Sequence, residues 1–294
     1  MKTVSYSQFS LYAQCPHRWK LDYPLNNRKY EQNINTCFGT AFHHTVQEYV
    51  KTIYEVSAKA ADEMDLNKLL QDTLIKEYRA SLEKNGNNHY STPEQLSEFY
   101  NDGVAILSYL KKNRAAYFGS REYRLVGIEK PLNLPINENV SFIGFLDLIL
   151  QNANDGRLKI LDIKTSTQGW NKYQKADNSK TAQLILYKEF YAKQFGVDVE
   201  SIDVEYMIVR RKINEDLEFK PKRIQTFVPA SGKPTRNKIG RLFTEFVTTC
   251  FTDSGEYNLE KEYPALKTKS CKYCPYLENY ELCPKDKRIK ADEA

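Results

Sequence analysis

No run of about 18 or more apolar residues occurs in the 294-residue chain, which excludes a membrane-spanning helix. The opening MKTVSYSQFS lacks the apolar core of a secretory signal. The expectation is a soluble, cytoplasmic protein with no membrane partner. No internal repeat and no low-complexity block is present, which argues against a repeat architecture. Ser231-Gly232-Lys233-Pro234-Thr235 looks superficially like a phosphate-binding loop, but Phe227 stands where the first glycine belongs. A helicase motor is therefore excluded.

With 41% hydrophobic and 28% charged residues the chain is expected to fold, as one large domain or two. The net charge of +5 is modest, yet basic residues cluster at Lys111 to Arg114, Arg210 to Lys212, Lys220 to Arg223, Lys233 to Lys238 and Lys285 to Lys290. Such clusters suit a polyanionic partner, and ordinary solvated charge accounts for them equally well. The 6 cysteines point, in a cytosolic chain, to metal or reactivity before disulfides. Cys271, Cys274 and Cys283 form C-x2-C-x8-C, Cys15 stands alone before the helix-breaking Pro16, and Cys37 and Cys250 have no companions.

The chain is organised around Phe142 to Lys164, where two apolar, β-branched runs flank Asp155-Gly156. That dipeptide predicts a hairpin with a two-residue loop, pairing Asn154 with Arg157 and setting Asp147 opposite Lys164. Side chains alternate with a period of two, so Asp147, Asp162 and Lys164 share one face. Two carboxylates and an ammonium among greasy strands are costly to desolvate unless compensated. A divalent cation between the carboxylates would compensate them, and so would a plain salt bridge.

Around this stretch the periodicity predicts helices over residues 4–23, 36–54 and 182–195, with two more between 61 and 118. Thr92 with Gln95 forms a capping box ahead of the second of that pair, and Gly196 stops the helix over 182–195. Strands are expected over 123–134, 202–210 and 223–228, and a last helix over 238–251. Helices beside a mixed sheet make an α/β or α+β fold. After Lys164, Trp170 and Tyr173 stand among Lys172, Lys175 and Lys180, a mixture suited to stacking single-stranded nucleic acid. Trp170 tucked under its own loop is the alternative.

In chain order these pieces resemble the PD-(D/E)XK nuclease superfamily, specifically its RecB-type branch with an iron–sulfur cluster, such as AddB-like and CRISPR adaptation nucleases. The matching motifs are Gly39-Thr40-Ala41-Phe42-His43, Gly144-Phe145-Leu146-Asp147, Asp162-Ile163-Lys164-Thr165-Ser166 and Gln183-Leu184-Ile185-Leu186-Tyr187. The resemblance implies a restriction-endonuclease-like mixed sheet flanked by helices, in one domain over 1–294. Within it, residues 55–120 would form a helical insertion, and 1–25 with 255–294 a cysteine-stapled subregion. It implies Mg²⁺ or Mn²⁺ on His43, Asp147, Asp162 and the Ile163 carbonyl. Lys164 would then orient water or stabilise charge, and Gln183 and Tyr187 would position the DNA backbone or Lys164. Cys15, Cys271, Cys274 and Cys283 match the cluster ligands, with [4Fe–4S] expected and zinc as the alternative, since the x8 spacing exceeds the usual family gap. The expected activity is a DNA exonuclease in recombination, repair or phage DNA processing, with DNA and a helicase or recombination protein as partners. An inactive binding module and a redox protein are the competing readings.

Overall fold

The computed structural model describes residues 1–28, 32–119, 122–214 and 216–290. In chain order its main elements are β1 (Lys2–Ser5), α1 (Tyr6–Gln14), α2 (Pro16–Asp22), α3 (Ile34–Glu55), α4 (Ala58–Glu63), α5 (Leu66–Lys84), α6 (Pro93–Lys112) and α7 (Arg114–Tyr117). The strands β2 (Tyr123–Pro135), β3 (Val140–Asn152) and β4 (Leu158–Ser166) follow, then α8 (Lys172–Ala176), α9 (Asn178–Phe195), β5 (Ile202–Arg210) and β6 (Ile224–Phe227). The chain continues through α10 (Lys233–Cys250), β7 (Ala265–Lys267) and β8 (Arg288–Lys290).

One mixed sheet runs β1-β3-β4-β5-β6, with β2 added to β3. Both its faces are covered, which its apolar strands require. Phe9 of α1, Leu184 and Phe190 of α9 and Phe243 and Phe246 of α10 pack on one face with Phe142 and Tyr206. Phe42 and Val46 of α3, Leu70 of α5 and Ile106 of α6 pack on the other with Leu148 and Ile163. This is the helix–sheet–helix layering of a restriction-endonuclease-like fold.

Local chemistry sets most element ends. Thr92 and Gln95 form the capping box of α6, and Gly196 closes α9 in the left-handed region at φ 64°. Cys15 ends α1 and precedes α2, whose first residue is Pro16, so the thiol does sit at an element boundary.

Two expectations need correction. The helix expected from residue 4 begins at Tyr6, because Val4, fully buried, is drawn into a parallel ladder opposite Phe142. The hairpin does not use a two-residue loop. Leu148 pairs with Leu161 and Gln151 with Leu158, while Asn152 donates to the Arg157 carbonyl at 2.8 Å. Gly156 takes φ 73°, whereas Asp155 does not enter the left-handed region that the type I′ turn of an Asp-Gly loop demands of both positions. The pairing therefore slips by two residues relative to the sequence reading, which preserves side-chain faces and sets Asp147 level with Asp162.

Candidate active site

A strand has two edges, and β2 occupies one edge of β3 from Ser141 to Asn152. The other edge is shared: β1 lies against Val140 to Ile143, and β4 against Leu148 to Gln151. Between them Gly144 to Asp147 has no strand beside it, and β4 beyond Leu161 pairs only with β5. The sheet splits into a fork there. Asp147 Oδ2 accepts the Ile163 N–H at 2.7 Å, so a side chain spans the gap that the ladder leaves. Leu146 belongs to one core and Leu148 to the other, although residues two apart in a strand normally share a face. β3 turns over at Asp147.

Six side chains named from the sequence meet at this fork. His43 Nδ1, on α3, lies 3.5 Å from Asp147 Oδ2. Lys164 Nζ lies 2.7 Å from Asp162 Oδ2, and Asp162 is only 2% exposed. The Lys164 ammonium is the group that satisfies this buried oxygen. Gln183 and Tyr187, one turn apart on α9, join through Nε2 and the phenol oxygen at 3.1 Å. The Tyr187 ring lies so close to Gly144 that a Cβ there would come within 2.9 Å of it.

Burial pushes both the Asp147 and the Asp162 carboxyl up to about 6, against the pull of Lys164. Burial works against the Lys164 charge too, but Asp162 and Asp147 outweigh it and hold the ammonium above its ordinary range. Burial lowers His43, which favours the neutral imidazole that a metal requires.

The sign of the carboxylate shifts gives a pH prediction. Groups raised from 3.8 to about 6 contribute stability that is complete below pH ~4 and lost as pH rises through about 6. At neutral pH each ionised carboxylate costs on the order of 3 kcal/mol, which a bound cation offsets. Mn²⁺ should therefore raise the melting temperature strongly near pH ~8 and hardly at all near pH ~5, where protons occupy the carboxylates. A thermal-shift series over this range checks it, and a flat Mn²⁺ response would dissociate these residues from the ion.

Sequence reading missed three residues at the fork. Tyr6, whose phenol donates to the Ser179 carbonyl, lies near Asp162. Gln47 is 5% exposed and donates through Nε2 to Glu129 Oε1 at 2.5 Å. Glu129 holds φ 46°, a conformation disfavoured for any side chain bearing a Cβ. A usable signal existed for Gln47, which follows His43 by one helical turn and so shares its face.

A second cluster lies at the chain ends. Cys15, Cys271, Cys274 and Cys283 line one cavity of about 20 Å³ with Leu21 and Leu266. All are free thiols, and Cys271 Sγ receives the Thr268 N–H at 3.4 Å. Cys37 and Cys250 are buried elsewhere.

A family model described as the PD-(D/E)XK nuclease superfamily matches residues 3–279. The chain belongs to the PD-(D/E)XK nuclease superfamily. No curated protein matches it. Among solved structures, the "Putative exonuclease" from Eubacterium rectale is 11% identical over 82% of this chain and 80% of its own, at a TM-score of 0.47. SSO0001 is 14% identical over 92% of this chain and 94% of its own, at a TM-score of 0.31.

PD-(D/E)XK nucleases use divalent metals such as Mg²⁺ or Mn²⁺. Among the described residues no group of three or more His, Cys, Asp or Glu side chains is arranged so that it could hold a metal ion. As placed, Asp147 is engaged by Ile163 and Asp162 by Lys164. The donor chemistry nevertheless suits a hard cation: two buried carboxylates whose charge only one ammonium offsets, and one imidazole beside them. The four thiols are the donor type of a tetrahedral thiolate centre, but as placed they are not arranged to hold an ion.

The nucleic-acid reading of the loop after β4 is corrected in one respect. Trp170 is half-buried, its ring 4.9 Å from Tyr206 and 6.2 Å from Phe227, so it packs under its own loop. Lys180 lies over that ring at 5.7 Å and Lys175 over Phe227 at 5.4 Å. Tyr173, beside Lys172, is 74% exposed and leaves one aromatic face open. Several basic clusters are engaged internally: Arg211 and Lys212 with Glu98 and Asp102, Arg114 with Asp62, and Arg236 with Glu189 and Glu200. No helix among the described residues is long and apolar enough to cross a membrane.

Gly144→Ala should press its Cβ into the Tyr187 and Phe142 rings, at 2.9 and 3.2 Å. Overpacking of this kind costs about 1–3 kcal/mol. Because the displaced ring belongs to the fork, hydrolysis should fall by roughly tenfold, well beyond what the small loss of stability explains. Comparing rate with melting temperature tests this, and an unchanged rate would detach Tyr187 from the reaction.

Proposed function

We propose that this chain is a metal-dependent DNA nuclease of the RecB-type branch that degrades DNA from its ends. The observation that carries the proposal is the convergence of His43, Asp147, Asp162 and Lys164 in the fork between β3 and β4. A bound Mg²⁺ or Mn²⁺ supplies an activated water and neutralises the phosphate. His43, Asp147, Asp162 and the Ile163 carbonyl would hold it. The Lys164 ammonium, kept charged by the aspartates, orients the water and offsets charge developing on the phosphoryl oxygens. Gln183 and Tyr187, locked to each other, position the DNA backbone against Lys164.

The chain is proposed to act as one domain, with residues 55–120, α4 to α7, as a helical insertion and the terminal segments as a subregion stapled by a [4Fe–4S] centre. Residues 291–294 of that subregion lie outside the described residues. The staple draws support from four thiols on one cavity, gathered from both chain ends. DNA would lie across the fork, with Tyr173 and the neighbouring Lys172, Lys175 and Lys180 at its margin. Work in recombination or repair beside a helicase follows from the resemblance.

The test is digestion of end-labelled single- and double-stranded DNA with circular controls, in Mg²⁺, Mn²⁺ or EDTA, beside Asp162→Ala. Metal-dependent loss of linear DNA that needs Asp162, with circles spared, is the expected result. Cutting of circles would make the enzyme an endonuclease. No cutting by folded, centre-loaded protein would remove the nuclease reading.

A further inference from the structure

In the β2–β3 ladder Ile128 pairs with Leu148 and Lys130 with Leu146, which sets Glu129 level with Asp147 where β3 turns over. Glu129 is the residue held at φ 46°. The residue is exposed, and Gln47 holds its carboxylate through a 2.5 Å bond from Nε2. Gln47 lies one turn along α3 from His43, and it is buried. Gln47 and Glu129 thus stand on the His43 side of the fork, and the Glu129 charge is felt by both His43 and Asp147.

We propose that Glu129 is a positioning residue of the cation site: it sets the site's affinity for a divalent ion by adding a fixed negative charge beside Asp147 and His43, with Gln47 holding it there. The inference rests on the metal-dependent reading of the fork. Three features converge on it. Glycine would occupy φ 46° without strain, so a carboxylate there demands a reason that backbone geometry does not supply. A buried glutamine amide is otherwise costly, and the bond to Glu129 is what its nitrogen makes. The ladder puts Glu129 beside a carboxylate, where a third negative charge repels unless a cation lies among them.

Glu129 acts through charge and orientation rather than as a ligand, the part that groups behind the ligands play in metal sites, where their loss typically costs ten- to a hundredfold in affinity. Glu129→Gln keeps shape and the possibility of a Gln47 contact but removes the charge. Glu129→Gly removes the charge and also the backbone strain. Gln47→Leu leaves the charge and frees its position.

The experiment is a Mn²⁺ titration read by thermal shift on protein without DNA, with hydrolysis measured in parallel. Glu129→Gln and Glu129→Gly should each weaken Mn²⁺ binding by about tenfold, while Gln47→Leu weakens it by about two- to threefold. Turnover at saturating Mn²⁺ should fall less than affinity does. Glu129→Gly should melt no lower than wild type without metal, because glycine relieves the strain. Unchanged Mn²⁺ affinity in both Glu129 variants, or a lower metal-free melting temperature with unchanged affinity, overturns the proposal and leaves Glu129 structural. Asp162→Ala separates the two levels: if it abolishes Mn²⁺ binding while the Glu129 variants do not weaken it, only the Glu129 inference fails. If Asp162→Ala also binds Mn²⁺ normally, the metal reading of the fork fails with it.

Discussion

Lys164→Met is expected to lower hydrolysis of linear DNA by about two to three orders of magnitude at saturating metal, with Mn²⁺ binding retained. The ammonium sits 2.7 Å from Asp162 and is held charged by Asp162 and Asp147 together. Its proposed work is done on charge that develops as the phosphodiester breaks, so its loss falls on the chemical step. Methionine keeps most of the aliphatic stem and its packing. Breaking a buried ion pair often costs several kcal/mol, because an uncompensated charge is left behind. Here that cost is limited: Asp162, already raised to about 6, can take up a proton when its partner is gone. The metal-free variant should therefore remain folded at mildly acidic pH and lose stability faster than wild type as pH rises. Single-turnover rates with a parallel Mn²⁺ thermal shift separate the outcomes. A rate within about tenfold of wild type would show that Lys164 balances charge and little more, whereas loss of Mn²⁺ binding would place it in the metal's support.

The features legible in the sequence were those set by neighbours along the chain. Pro16 places Cys15 at a helix boundary, Thr92 and Gln95 cap α6, and Gly196 ends α9 because one left-handed residue suffices. The face shared by Asp162 and Lys164 follows from strand periodicity alone, and a two-residue slip in the hairpin leaves it intact. What the sequence hid was long-range. Val4 becomes a strand residue only through Phe142, and the fork exists only because β1 and β4 divide one edge of β3. Trp170 is covered by Tyr206 and Phe227, so its exposure could not be judged from the lysines around it. Glu129 sits in a strand that looks ordinary in sequence, and its backbone conformation shows only in three dimensions.

Cys274→Ala should lower the melting temperature of centre-loaded protein by about 10 °C or more while leaving turnover per folded molecule nearly unchanged. The terminal segments are joined without any metal by a short set of bonds. Tyr276 donates to Asp22 at 2.7 Å and to the Asn27 carbonyl at 2.9 Å, the His17 backbone N–H donates to the Pro264 carbonyl at 3.2 Å, and His17 Nε2 meets the Leu282 carbonyl at 2.7 Å. Each contributes about 1 kcal/mol net, or somewhat more where charged, too little to hold the tail firmly on α2. The proposed thiolate centre would bind far more strongly, and since its four proposed ligands come together only in the folded chain, that binding would become folding energy. Removing one thiolate should therefore uncouple the β7–β8 region from α1 and α2, so that it melts ahead of the central sheet. The fork should survive, because its side chains sit on α3, β3, β4 and α9, which pack through the two main cores. Melts of wild type and Cys274→Ala, each before and after stripping the centre with a chelator, distinguish the contributions. Equal melting temperatures in the loaded proteins would assign the joining of the chain ends to these hydrogen bonds and to the packing of Tyr263 on Tyr12 and Trp19. A parallel collapse of turnover per folded molecule would instead tie the cysteine centre to the path of the DNA.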